Sequence, residues 1–257
     1  MTERLPPGAA DPEQPEQTLI SHLVELRDRL LRAIVAVVVV FIGLFPFANQ
    51  LYALLAEPLM AHLPQGTQMV AIDVVTPFLT PLKLAFFCAL FLAMPFLLYQ
   101  SWAFVAPGLY KHEKRLAGPI LVSAVLLFYV GCAFAYFVVM PMVFGFLSAT
   151  VPEGVSMMTD IARYLDFVLV RFLVVGLCFE VPVATVILAM LGIASPDQMR
   201  EARSYVIVGA FVVAAIVTPP DALSQILLAV PMCILFEIGL VAARIAVRGR
   251  GAEAPSG

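Results

Sequence analysis

Charge is scarce in this chain of 257 residues: Asp, Glu, Lys and Arg together make 13%, about half the share of an ordinary soluble domain. Apolar residues make 62% and the mean hydropathy is +0.98. So little polar surface excludes a soluble globular protein. A net charge of −3 excludes the strongly basic face of a nucleic-acid binder. The three histidines, His22, His62 and His112, are scattered, so zinc chemistry has no support. The four cysteines, Cys88, Cys132, Cys178 and Cys233, stand at least 44 residues apart, each in an apolar stretch. They form no CxxC and read as small hydrophobes, not as a disulfide framework. No G-x-S-x-G, HExxH or phosphate-cradling glycine loop occurs, and nothing proposes covalent chemistry. No cofactor and no metal is expected.

What remains is a membrane protein. About twenty apolar residues cross a bilayer as a helix, and charge-free intervals locate six such segments. They fall at 30–47, 84–106, 116–141, 164–191, 204–218 and 222–241. The fourth is interrupted by Arg171 and Glu180; the fifth and sixth are short and parted only by Pro219, Pro220 and Asp221. The expected fold class is an all-α integral membrane protein with six transmembrane helices. The membrane domain is expected over 19–248, with tails at 1–18 and 249–257. The first 17 residues are acidic and proline-rich, without a signal-peptide pattern, and are expected to be disordered. Six spans put both termini on one side, and twelve of the fifteen Lys and Arg residues fall on that side. The positive-inside rule then makes both termini cytosolic. The outer loops are expected at 48–81 and 142–163. β structure has no place here, because lipid-facing backbone must satisfy its own hydrogen bonds.

A few charged residues need a reason. In Ser21–Arg32 (SHLVELRDRLLR) a leucine stripe runs opposite two i,i+4 pairs, Glu25–Arg29 and Asp28–Arg32. An interfacial helix explains it; so does a Glu25 carboxylate presented to a cationic partner. Glu113, inside KHEKR, either balances its neighbours or serves the same purpose. Arg171 and Glu180 are nine residues apart and face opposite sides of one helix, so they do not pair. Arg171 is placed to snorkel to the interface. Glu180 lies deeper, where an acid is a functional candidate or a protonated or hydrogen-bonded structural group. TPPD at 218–221 is a tight turn in which Asp221 is positioned to cap the following helix. Gln225 is one turn further on, and Glu237 is placed to reach Arg244 or headgroups.

SHLVELRDRLL, PLKLAFF, YQSWAFVAPGLYKHEKR, FAYFVV, FEVPVA, VGAFVVAAIVTPPD and SQILLAVPMCILFEIG strongly resemble the TatC family, the receptor subunits of the twin-arginine translocase. The resemblance runs from about Leu19 to Arg248. It implies a cupped, concave six-helix scaffold without a cofactor, in the bacterial cytoplasmic membrane. Such a scaffold binds signal peptides bearing consecutive arginines and works beside TatA- and TatB-like single-span proteins and other copies of itself. With them it exports folded proteins using the proton-motive force. The family's acidic recognition positions fall on Glu25 and Glu113, with Arg27, Leu30 and Phe104 in the same patches. Glu180, Thr218, Asp221 and Gln225 match positions where partner helices dock. Arg171 matches no charged position of the family. The alternative function is a proton-coupled secondary transporter using Glu180 and Asp221 as a relay; an intramembrane protease lacks a nucleophile–base pair.

Overall fold

The computed structural model describes residues 14–60, 68–105, 117–150, 152, 158–219 and 221–252. Among these residues ten α-helices follow in order: α1 Gln14–Leu44, α2 Ala48–Met60, α3 Thr76–Val105, α4 Ala117–Phe134, α5 Met140–Ala149, α6 Ile161–Cys178, α7 Val181–Met190, α8 Pro196–Glu201, α9 Arg203–Val217 and α10 Ala222–Ala252. A 3₁₀ turn at Phe45–Phe47 joins α1 to α2, and a π-helical turn at Ala135–Val139 joins α4 to α5. Among the described residues, five continuous stretches are long and apolar enough to cross a bilayer: Leu23–Leu54, Thr76–Phe104, Gly118–Ala149, Ile161–Met190 and Ala222–Val247. The 15 residues of α9 reach about 22 Å, short of a hydrocarbon core of about 30 Å.

Helix extends into both expected outer loops. Within 48–81, α2 covers Ala48–Met60 and α3 begins at Thr76, so Pro81 lies inside its second turn. At the sixth position it falls past the orphan donors of the first turn and deletes the bond an N–H there would make to Pro77 O, yet α3 runs on through it as it does through Pro95. Within 142–163, α5 runs on to Ala149. The exclusion of β structure also needs correcting. Gln68–Val70 pairs in parallel with Met158–Asp160, in the register Gln68↔Met158, Met69↔Thr159 and Val70↔Asp160. The pair joins two interhelical loops, where the two backbones satisfy each other and no lipid-facing helix is replaced. Asp160 ends the second of these strands and caps α6, accepting from Ala162 N at 3.3 Å.

The core gathers where the π turn, α5, α6, α9 and α10 meet, around Val139, Val143, Val168, Val175, Ala214 and Leu228. Small residues allow the closest crossings. A Cβ on Gly176 would lie 2.8 Å from the Phe128 ring, and one on Gly239 would lie 2.7 Å from Pro182 Cα. α4 therefore presses on α6, and α10 on α7, at glycine. Gly192, with φ of 70°, ends α7 in a Schellman arrangement: Ile193 N bonds Leu188 O and Gly192 N bonds Ala189 O, both at 3.1 Å. Ser195 and Gln198 then form a capping box that starts α8.

The helices define two ends. At the strand end, Tyr52 packs on Leu84, Leu165 and Leu169, and Lys83 Nζ reaches Asp166 at 2.6 and 2.8 Å. At the tail end, Trp102 packs with Met190, Leu121 and Ala246. α1 runs from the tail end to the strand end, and α3 returns.

Candidate functional site

Glu25 lies on α1 at the tail end. Its Oε1 accepts from Arg29 Nε at 3.0 Å and Nη2 at 2.6 Å, so one carboxylate oxygen takes both prongs of a guanidinium. The Phe41–Phe86 ring contact, 5.9 Å between centroids, pins α1 against the antiparallel α3. Sixteen residues before Phe41 is Glu25, and sixteen after Phe86 is Trp102, so the two are level. Phe104, partly buried, stands half a turn beyond Trp102. Leu30 is exposed on the same end of α1. Arg27 turns to its neighbour, donating to Asp28 Oδ1 from Nε at 3.0 Å and Nη2 at 2.8 Å. That contact replaces the expected Asp28–Arg32 pair: Arg27 is adjacent and exposed, and its guanidinium folds back at less entropic cost than a one-turn reach. Glu113 lies outside the described residues.

The second group surrounds a helix break. α6 stops at Cys178 and α7 starts at Val181, with Phe179 and Glu180 in a turn and Pro182 at the second position of α7. Proline there deletes a backbone donor and favours a new helix start over a continuous one. Glu180 thus occupies the N-cap position of α7, where helix-end N–H groups favour negative charge. Its Oε1 is buried without a hydrogen-bond partner. Immediately after it begins an apolar cleft of about 460 Å³, walled by Val181, Thr185, Leu188, Val206, Val213 and Phe236.

The third group closes α9 onto α10. Thr218 is buried, and its Oγ1 donates to Ala214 O at 2.8 Å, ending α9. Asp221 caps α10 as its position in TPPD anticipates: Oδ2 accepts from Ser224 N at 2.7 Å, while Oδ1 is buried and unpartnered. Gln225 Nε2 donates to Phe211 O at 3.1 Å and ties α10 to α9.

Several polar contacts lie beyond the sequence reading. Glu237 pairs with Arg203 at 2.5 Å rather than with Arg244, which reaches Asp197 at 3.8 Å. Arg203 starts α9 across from α10, a tertiary neighbour that spacing along one helix does not reveal. Asp166 is a further acid inside the fourth apolar interval, held by Lys83 of α3. Two charges 83 residues apart carry no local signal, although an isolated Lys beside an isolated Asp in otherwise charge-free segments is the pattern to look for. Arg171 places its guanidinium carbon 3.2 Å from the Phe167 ring centroid and donates from Nη1 to Phe167 O at 2.9 Å. Among the described residues, no group of three His, Cys, Asp or Glu side chains is placed to hold a metal.

Comparison with known proteins bears on the family and the fold. Residues 21–231 match the family model described as Sec-independent protein translocase protein (TatC). The Sec-independent protein translocase protein TatC of Escherichia coli K12 is 57% identical over 238 residues, 92% of each chain. That of Azotobacter chroococcum mcd 1 is 57% identical over 225 residues, 88% of each chain. A crystal structure described as the twin arginine translocase receptor TatC superposes with a TM-score of 0.74 at 34% identity, covering 88% of this chain and 100% of that one. A match of this length and identity, on the same helical fold, identifies the chain as a member of the TatC family of Sec-independent protein translocase subunits, embedded in a membrane and acting within a multiprotein translocase.

Proposed function

We propose that the chain is the core receptor of a twin-arginine translocase in the bacterial cytoplasmic membrane. Both termini face the cytosol, and α9 serves as the sixth span through a locally thinned bilayer. The tail end is then the cytosolic rim. Glu25 and Glu113 receive the two arginines of a signal peptide there, with Arg27, Leu30 and Phe104 shaping the patch. TatA- and TatB-like single-span partners dock around Glu180, Thr218, Asp221 and Gln225. The assembly exports folded proteins using the proton-motive force.

One observation carries the reading: Glu25 already holds a guanidinium, that of Arg29, through two donors at 3.0 and 2.6 Å. A carboxylate so disposed at a water-exposed rim suits an incoming arginine, whose fork makes charge-assisted bonds that an ammonium does not reproduce. The partly exposed Arg29 is displaced cheaply, because exposed i,i+4 pairs contribute only about 0.3–0.5 kcal/mol.

Photocrosslinking of the purified protein to a twin-arginine signal peptide, beside a twin-lysine control, tests the proposal. Strong labelling of the first and weak labelling of the second is the expected result; equal labelling removes the receptor reading. The α6–α7 break at a buried, unpaired Glu180 is the observation that favours a proton-coupled transporter instead. That reading predicts equal labelling together with solute-dependent proton flux in vesicles.

A further inference from the structure

Arg171 is the charged group that neither the recognition rim nor the docking residues use. It sits ten residues into α6 from Ile161, about 15 Å along the helix axis from the strand end. Seen along α6 alone, that is deep in the membrane. Its neighbours across the gap, however, are Ile216 and Val217, the last two residues of α9. The chain turns at Thr218–Asp221 directly beyond them. α9 therefore stops at the depth of Arg171 while α6 continues past it, and the molecule has a step on this face. The guanidinium lies on the step, inside the membrane by one helix and at its surface by the other.

Nothing among the described residues compensates the charge. Among the described residues no carboxylate comes within 4.0 Å of Arg171. Glu180 is on the opposite face, and Asp221 spends Oδ2 on the α10 cap. Of the guanidinium donors, Nη1 serves Phe167 O, and Nε is buried with no partner at all. The Phe167 ring covers one face of the fork. An intramembrane guanidinium left in this state is costly, and an anion on its open side offsets that cost.

The surroundings identify the anion's carrier. Arg171 opens into a cleft of about 210 Å³ whose other walls are Val170, Val174, Val213, Ile216 and Val217. Every one of those walls is aliphatic. None of these walls carries a polar group for a partner helix to meet. A phosphate joined to an acyl chain fits both halves of the site, charge to guanidinium and methylenes to valine. We propose that Arg171 and this cleft hold one phospholipid of the leaflet on the Thr218–Asp221 side, its phosphate on the guanidinium and one acyl chain along α9. The lipid fills the step left by the short α9. The inference rests on the fold and on Arg171, independently of what the opposite rim recognises.

Native mass spectrometry of the full chain, released from detergent with added palmitoyl-oleoyl phosphatidylglycerol, tests this. The wild type is expected to retain one lipid, and Arg171→Leu to weaken that retention about ten- to hundredfold, the loss of one charge-assisted contact. Arg171→Lys should fall between, keeping the charge without the fork. Val213→Phe keeps the arginine and fills the cleft, so it should also expel the lipid; it decides the matter if Arg171→Leu does not fold. Diacylglycerol with the same chains, and glycerol phosphate without chains, should not replace the phospholipid. Equal retention by wild type, Arg171→Leu and Val213→Phe would overturn the proposal. So would equal retention of diacylglycerol, which reports apolar contact alone, or displacement by glycerol phosphate, which reports a free anion. Unchanged lipid retention with loss of a co-purifying helix in Arg171→Leu would assign the arginine to an acidic protein partner instead.

Discussion

The first apolar span, Leu23–Leu54, and the fourth, Ile161–Met190, have similar hydropathy and very different surroundings. In the most apolar stretch of the first, 6% of residues are buried within the protein, against 44% in the fourth. Apolar composition states the solvent of a helix, here lipid, and says nothing about its protein neighbours. α1 leans on α3 by one side and offers the rest to the bilayer or to partners. The α6–α7 segment is enclosed by α4, α9 and α10, with glycine at the crossings. Substitutions that are mild on the first should be severe on the second.

Gly239→Val gives the largest expected effect. Its Cβ would meet the Pro182 backbone at 2.7 Å, and a backbone atom does not rotate away. We expect a loss of about 1–3 kcal/mol or more in stability from overpacking. Gly43→Val on α1, with nothing within 4 Å of the added Cβ, should stay within about 0.5 kcal/mol. Thermal unfolding in detergent, followed by exposure of the free thiols of Cys178 and Cys233, compares the two. Equal stability of the pair would break the contrast between the spans.

Next comes the ion pair that fastens the fourth span to the second. Lys83→Met strands Asp166 and should cost about 1–2 kcal/mol. The double variant Lys83→Met, Asp166→Met should recover most of the loss, because no charge is then left unpaired in an apolar setting. No recovery in the same unfolding assay would mean that the pair does more than neutralise itself.

Glu180→Ala should act on association rather than on folding. The carboxyl oxygen it removes is buried and unpartnered, so the isolated chain loses no bond. A TatB-like partner contributing a polar group would lose up to about 1–2 kcal/mol of affinity. Co-purification of that partner at the wild-type level would remove Glu180 from the docking site. The smallest effects belong to the exposed face of α1: Val39→Ala and Ile42→Ala should each change stability by less than about 0.5 kcal/mol.

What was legible in the sequence follows the same divide. Charge-free intervals and the run of motifs from SHLVELRDRLL to LFEIG carry the helical membrane class and the family. TPPD carries the end of α9 and the Asp221 cap, because proline and an N-cap acid act locally. The break at Phe179–Glu180 was less visible, since one proline inside an apolar run reads equally as a kink. Lys83–Asp166, Arg203–Glu237 and the parallel strand pair were not visible, each joining residues more than thirty positions apart. Glu25 was legible as an acid at a membrane surface. That its first ligand is Arg29, with Arg27 turned instead to Asp28, depends on rotamers that spacing does not choose.

In the function proposed above, the carboxylates of Glu25 and Glu113 recognise an arginine pair. Titration of a fluorescent twin-arginine signal peptide against the detergent-solubilised wild type, Glu25→Gln and Glu113→Gln tests it most directly. Each substitution keeps shape and removes charge, so the account predicts a dissociation constant about ten- to hundredfold higher for each, with membrane insertion unchanged. Dissociation constants matching the wild type in both variants would contradict it.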